Sequence, residues 1–186
     1  MLKSTVLACA GLVMISGVYC QAQTTGAFRN ISIKPKWGAT PLPGSKNYPS
    51  SNRSGIGRWY MIQINYTTPK VDDGRKKFKW LDDITMSVEI LFPGEYEGQQ
   101  ATARMSGSVE YWSIPLDGKV HNALMLVPPQ IIQRYARVGD NYRRIPIFIK
   151  VSFLNRANRL LAVKYYSSAN GFTERAAAAA FAKAKK

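Results

Sequence analysis

Beyond residue 20 the chain has no cysteine; Cys9 and Cys20 are the two it contains. Without the leader described below, no disulfide, thiol nucleophile or cysteine-bound metal remains, so an apolar core must supply the stability. Histidine is almost missing too. His121 stands alone beside a turn in Gly118-Lys119-Val120-His121-Asn122. One imidazole is a common general base, but a triad also needs a nucleophile and an orienting partner, and zinc needs further ligands. His121 therefore reads as an ordinary surface histidine. After residue 22 no apolar run reaches the ~20 residues of a membrane-spanning helix. Acids are scarce: 11 Asp and Glu against 26 Lys and Arg, a formal net charge of +15. The pairs Asp72-Asp73 and Asp82-Asp83 lack the pattern of a calcium loop and read as salt-bridged surface. Gly55-Ile56-Gly57 lacks the rest of a phosphate-binding fingerprint. These absences predict no catalytic residue, no metal and no cofactor.

What is present begins with a leader. Lys3, the apolar stretch from Val6 to Val18 and the small-residue context of Cys20-Gln21-Ala22 form the three parts of a secretory signal. Tyr19 before Cys20 is too bulky for a lipoprotein signal. The expected organisation is a signal peptide over 1–22, an N-terminal strand and long loop over 23–57, a core domain over 58–168 and a basic helical tail over 169–186. The protein is expected to be exported, to the periplasm, the outer membrane or the exterior.

The remaining chain is patterned as strands. Ile147, Ile149, Val151 and Phe153 alternate with Phe148, Lys150 and Ser152, the period-two signature of a half-buried strand. Asn155-Arg156-Ala157-Asn158 tolerates a turn, and Leu161, Val163 and Tyr165 resume the alternation, so a hairpin is predicted. A lone hairpin has nowhere to bury its apolar face, and earlier segments must supply partners. Ile31, Ile33 and Trp37 predict an edge strand stopped by Pro35, followed by a long loop over 38–57. Arg58 to Thr68 is a strand with Tyr60, Ile62, Ile64 and Tyr66 on one face. Pro69 to Lys79 is a charged turn around Asp73-Gly74.

Asp83 to Phe92 is the clearest strand, with Ile84, Met86, Val88, Ile90 and Phe92 on one face and Pro93-Gly94 ending it. Ala103 to Ile114 follows, with Gly107 placed for a bulge. Asp117-Gly118 turns into a short strand from Ala123 to Val127. Pro128-Pro129 opens a short helix near 129–137. Thr173 caps a C-terminal helix with Glu174 at its positive end and Lys183, Lys185 and Lys186 at its negative end. Its alanines bury little, so the pattern predicts a frayed tail. The fold class is all-β: an immunoglobulin-like β-sandwich of about seven strands with a short helix and a C-terminal helical tail. An eight-stranded or partly open barrel is the alternative.

Charge is distributed in blocks. Eleven basic residues between Arg29 and Trp80 face Asp72 and Asp73. From Leu81 to Gly118 the balance inverts, with seven acids against Arg104. Thirteen basic residues follow from Lys119 onward. Arg75-Lys76-Lys77-Phe78-Lys79-Trp80 interleaves cations with aromatics, a surface suited to anionic glycans or lipids. Its alternative role has Phe78 and Trp80 as core anchors with the lysines solvated. Arg143-Arg144 beside Tyr142 forms a second, weaker patch. The candidate anion- or partner-binding residues are Arg75, Lys76, Lys77, Lys79, Trp80, Arg143 and Arg144. In an exported protein nucleic acid is the disfavoured polyanion. The split of charge also suggests head-to-tail contacts between copies, acidic middle against basic flank.

The strand order from Arg58 to Ser168, with the Val127-Pro128-Pro129-Gln130 crossover and the closing hairpin, resembles small exported immunoglobulin-like proteins associated with type IV pili in mucin-degrading gut bacteria. The resemblance implies a non-catalytic module working by protein–protein contact in a pilus or envelope assembly, some such modules forming small oligomers. It supplies no catalytic residues. The chain departs from true pilins, lacking their short basic leader before a long apolar helix with an acidic fifth residue, which implies that it is not the fibre subunit.

Overall fold

The computed structural model describes residues 26–38, 59–71, 80–96, 99–135, 146–168 and 173–184. The predicted leader, the loop over 39–57 and most of the charged turn over 72–79 lie outside the described residues. Seven strands and two helices are formed within them: β1 (Arg29–Gly38), β2 (Trp59–Thr67), β3 (Trp80–Tyr96), β4 (Gln99–Pro115), β5 (Val120–Val127), α1 (Pro129–Tyr135), β6 (Phe148–Leu154), β7 (Leu160–Ser167) and α2 (Glu174–Lys183).

The strands make two antiparallel sheets, ordered β1-β2-β5 and β4-β3-β6-β7. Lettered in chain order as A, B, C, C′, E, F and G, these are the ABE and C′CFG layers of an immunoglobulin-like β-sandwich. The described residues place no strand at the D position, beside β5.

Alternation explains the core. On β2, Tyr60, Ile62, Ile64 and Tyr66 are buried while Gln63 is exposed. On β3, Ile84, Met86, Val88, Ile90 and Phe92 are buried, and on β6 Ile149, Val151 and Phe153 meet them from the adjacent strand. Each such side chain contributes about 1.5–3 kcal/mol by leaving water. Phe28, just before β1, stacks on Phe153 with ring centres 4.1 Å apart and meets Tyr66 edge-on at 5.5 Å, joining the two sheets.

Five local expectations are corrected. β1 runs through Pro35 to Gly38, because at a sheet edge one side of the strand needs no donors. β3 likewise continues through Pro93-Gly94 to Tyr96. Its pairing with β6 stops at Leu91, so Pro93 has a neighbour only on the β4 side. Gly107 is not a bulge; it pairs Val88 in unbroken register. A Cβ there would lie 3.1 Å from the Met125 methyl, so this glycine allows the two sheets a close approach.

The fourth correction concerns β7. A register shift near Leu160 places Ala162, Lys164 and Tyr166, not Leu161, Val163 and Tyr165, opposite the buried Phe153, Val151 and Ile149. Val163 and Tyr165 thus lie on the far face of the sheet, opposite Ser152 and Lys150. The fifth follows from it: α2 is no frayed tail but covers that face. Ala177 and Phe181 are buried, Phe181 meets Tyr165 at 6.0 Å, and Lys164 Nζ donates to Glu174 at 2.7 Å. Thr173 caps the helix as expected, accepting from the Ala176 N–H.

Candidate interaction surface

The predicted basic patch is represented in the described residues by one member. Arg75, Lys76, Lys77 and Lys79 precede β3, and Arg143 and Arg144 follow α1; all six lie outside the described residues. Trp80 opens β3 opposite Pro115 and is 56% exposed. It is therefore not the core anchor of the alternative reading.

His121 lies on β5, opposite Tyr66, with the two rings stacked 5.5 Å apart. Its Nε2 is 3.1 Å from Asp117 Oδ1, which also accepts from the Lys119 N–H at 2.9 Å. Those bonds, the backbone one foremost, hold the Asp117 carboxyl below its ordinary range. The sequence suggested a free surface histidine, but the imidazole is half-buried and fastened to a turn. Gly118, at φ 73°, completes that turn.

Glu89 sits on the outer face of the four-stranded sheet between β4 and β6. Burial pushes its carboxyl up, but hydrogen bonds from Lys150 Nζ, at 2.6 Å, and from Arg104 Nη2 outweigh that and hold it below the usual range. This is a structural ion cluster, and every member is committed. The acidic stretch is consequently less acidic in space than in sequence. Glu89 and Asp117 are paired, and Asp83 has Arg156 at 3.6 Å.

The open side of the sandwich lies between β4 and β5. Val88, Gly107 and Val109 from the second sheet and Met125 from the first line an apolar groove of about 240 Å³. Leu124 and Leu126 flank it. β5 is an edge strand whose outward residues Val120, Leu124 and Leu126 are all exposed, Leu124 by 57%. From Val120 to Val127 it contains no Lys, Arg, Asp, Glu or Pro. Edge strands ordinarily carry such residues because a bare row of N–H and C=O groups recruits other strands. β5 lacks this protection and adds apolar side chains on both faces.

The apolar run marks the strand but not its exposure. A strand apolar at both parities, Leu124 and Leu126 as well as Ala123, Met125 and Val127, is the signal of either a central strand or an uncovered edge. Only topology separates the two.

No protein-family profile matches the chain, and no curated protein does. Among solved structures, the chain is similar to a crystal structure from Akkermansia muciniphila at 13% identity, covering 79% of this chain and 75% of that one, with a TM-score of 0.48. It is similar to structural genomics target SoR45 at 10% identity, covering 78% and 88%, with a TM-score of 0.36. It is also similar to the sporulation control protein Spo0M from Bacillus subtilis at 7% identity, with a TM-score of 0.31, spanning 46% of that chain.

Proposed function

We propose that this is a non-enzymatic, exported protein that works by protein–protein contact in a cell-envelope or type IV pilus assembly, using the β5 edge. The uncharged β5, with no strand on its outer side among the described residues and an apolar groove beside it, is the observation that supports it. An extended strand laid along β5 would complete main-chain hydrogen bonds and send alternate side chains between the sheets. The simplest source is a second copy. Two β5 strands pair antiparallel about a twofold axis, joining two three-stranded sheets into one of six. The pilus setting rests on the leader and on the layout from Arg58 to Ser168.

Light scattering on the 23–186 chain tests this. The expected result is a dimer or larger species that survives high salt and reverts to monomer in Leu124→Lys. That side chain is exposed in the single chain, so the variant keeps its core. A wild-type monomer at every concentration and salt overturns the reading and moves the case to the second one, a module for anionic glycans or lipids. Trp80, exposed at the end of the basic turn, favours that alternative. Its mark would be polyanion binding that falls with salt and is lost on charge reversal at Arg75, Lys76, Lys77 and Lys79.

A further inference from the structure

The alternation of β3 and β4 breaks at one facing position. Ile84 and residues beyond it face the core at even numbers, yet before Asp83 it is Leu81, paired with Ile114, that packs inward. Asp83 adopts φ 52°, a left-handed conformation rare outside glycine, asparagine and aspartate. In register it stands across from Trp112, between the Asp82–Ser113 and Ile84–Tyr111 pairs. Trp112, at this switch, is 86% exposed. The switch keeps both the Leu81–Ile114 and the Ile84–Tyr111 pairs against the core, and what it leaves over is an uncovered aromatic, the kind of surface that marks a ligand site.

The ring is one wall of an open cavity of about 490 Å³, within the usual size range for small-ligand pockets. Asp83 and Glu110 line it, and the β6–β7 turn brings Arg156 and Asn158. That turn is held in place. Asn155 Oδ1 accepts from the N–H groups of Ala157 and Arg159 at 3.1 and 2.9 Å, and Asn158 is left-handed at φ 55°. Glu110 has no ion-pair partner among the described residues. Arg156, 88% exposed at its side chain, reaches Asp83 at 3.6 Å.

The composition selects a ligand class. Two carboxylates disfavour an anion, and the pairing of Asp83 with Arg156 leaves Glu110 alone to draw a cation. A wholly apolar ligand would displace water from Glu110 and from the Asp83–Arg156 pair without replacing its hydrogen bonds. A neutral sugar ring satisfies all of them: its C–H face lies on the indole, and its hydroxyls donate to Asp83 and Glu110 and accept from Arg156. We propose that the Trp112 corner is a binding site for a neutral saccharide. It shares no residue with the β5 groove and does not depend on assembly.

The test uses the 23–186 chain and saturation-transfer NMR with neutral mono- and disaccharides of glucose, galactose, N-acetylglucosamine and N-acetylgalactosamine. Sialyllactose and tetramethylammonium serve as anionic and cationic probes. The expected result is weak binding of at least one neutral sugar, with a Kd of about 1 mM. It should fall at least about tenfold in Trp112→Ala, from loss of the stacking face. Asp83→Asn, which tolerates the left-handed backbone, should weaken it as well. Leu124→Lys should leave it unchanged. Three results would overturn the proposal: no neutral sugar bound by the folded wild type, binding indifferent to Trp112→Ala, or preference for either charged probe. Trp112 is outside the core, so its loss does not confuse binding with folding.

Discussion

Tyr60 carries a hydroxyl into the core, where it has no hydrogen-bond partner among the described residues. Burial also pushes its ionisation far up, so the phenol stays neutral at any ordinary pH. A buried, unpaired hydroxyl costs free energy that its ring does not need to incur. Tyr60→Phe keeps the contacts with Trp37 and Phe92. It is expected to leave stability unchanged or raise it by about 1 kcal/mol in denaturant unfolding. Glu89 is the opposite case, since its carboxylate has two basic partners. A carboxyl held lower when folded contributes stability that is present above its unfolded pKa and lost as pH falls through the lowered value. Wild type should therefore lose stability on acidification below about pH 4.3 more steeply than Glu89→Gln. Urea midpoints at pH 7, 4 and 3 measure this. Equal slopes for the two proteins would show that the cluster adds nothing to the acid limb.

At the scale of elements, the C-terminal helix decides how the second sheet ends. α2 covers the outer face of β6 and β7, and Phe181 is its largest buried side chain. Phe181→Ala removes a ring from beneath a terminal helix that can partly retreat. A loss of about 2–3 kcal/mol is expected in chemical denaturation, at or below the low end for buried phenylalanine. Early amide exchange over 173–184 would show the helix leaving first. The sequence carried the helix but not its docking, because five consecutive alanines suggest little to bury and the alternation of Leu161, Val163 and Tyr165 does not tell which face of β7 receives a helix. One bulge at the start of a strand flips every later side chain, and nothing in Leu160-Leu161-Ala162-Val163 marks where it falls. The period-two runs of β2, β3 and β6 were legible because their neighbours on both sides agree. Edges were not. Pro35 and Pro93 break strands only where a partner needs their missing N–H, and β5 looks like any apolar strand until the described residues are found to place no strand beside it. Trp112 was hidden for a related reason: it lies at a switch in two strands at once, visible only in their register.

For the whole molecule, the charge blocks read along the chain do not become an acidic face and a basic face of equal weight. Among the acids of the middle stretch, Glu89, Asp83 and Asp117 have basic partners in the same chain. The formal net charge of +15 is largely uncompensated. Two copies approaching one another therefore repel at long range, whichever faces meet. Salt then separates the two modes of assembly by sign. Head-to-tail pairing of opposite charges would weaken as salt screens the attraction. Pairing of β5 edges, held by main-chain hydrogen bonds and apolar contact, would strengthen as salt screens the repulsion. Sedimentation at about 0.05 and 0.5 M NaCl spans Debye lengths from roughly 14 to 4 Å. The dimer fraction is expected to rise across that range in wild type and to stay near zero in Leu124→Lys. A fraction that falls with salt would mean that opposed charges hold the copies together, and that β5 is open for something else.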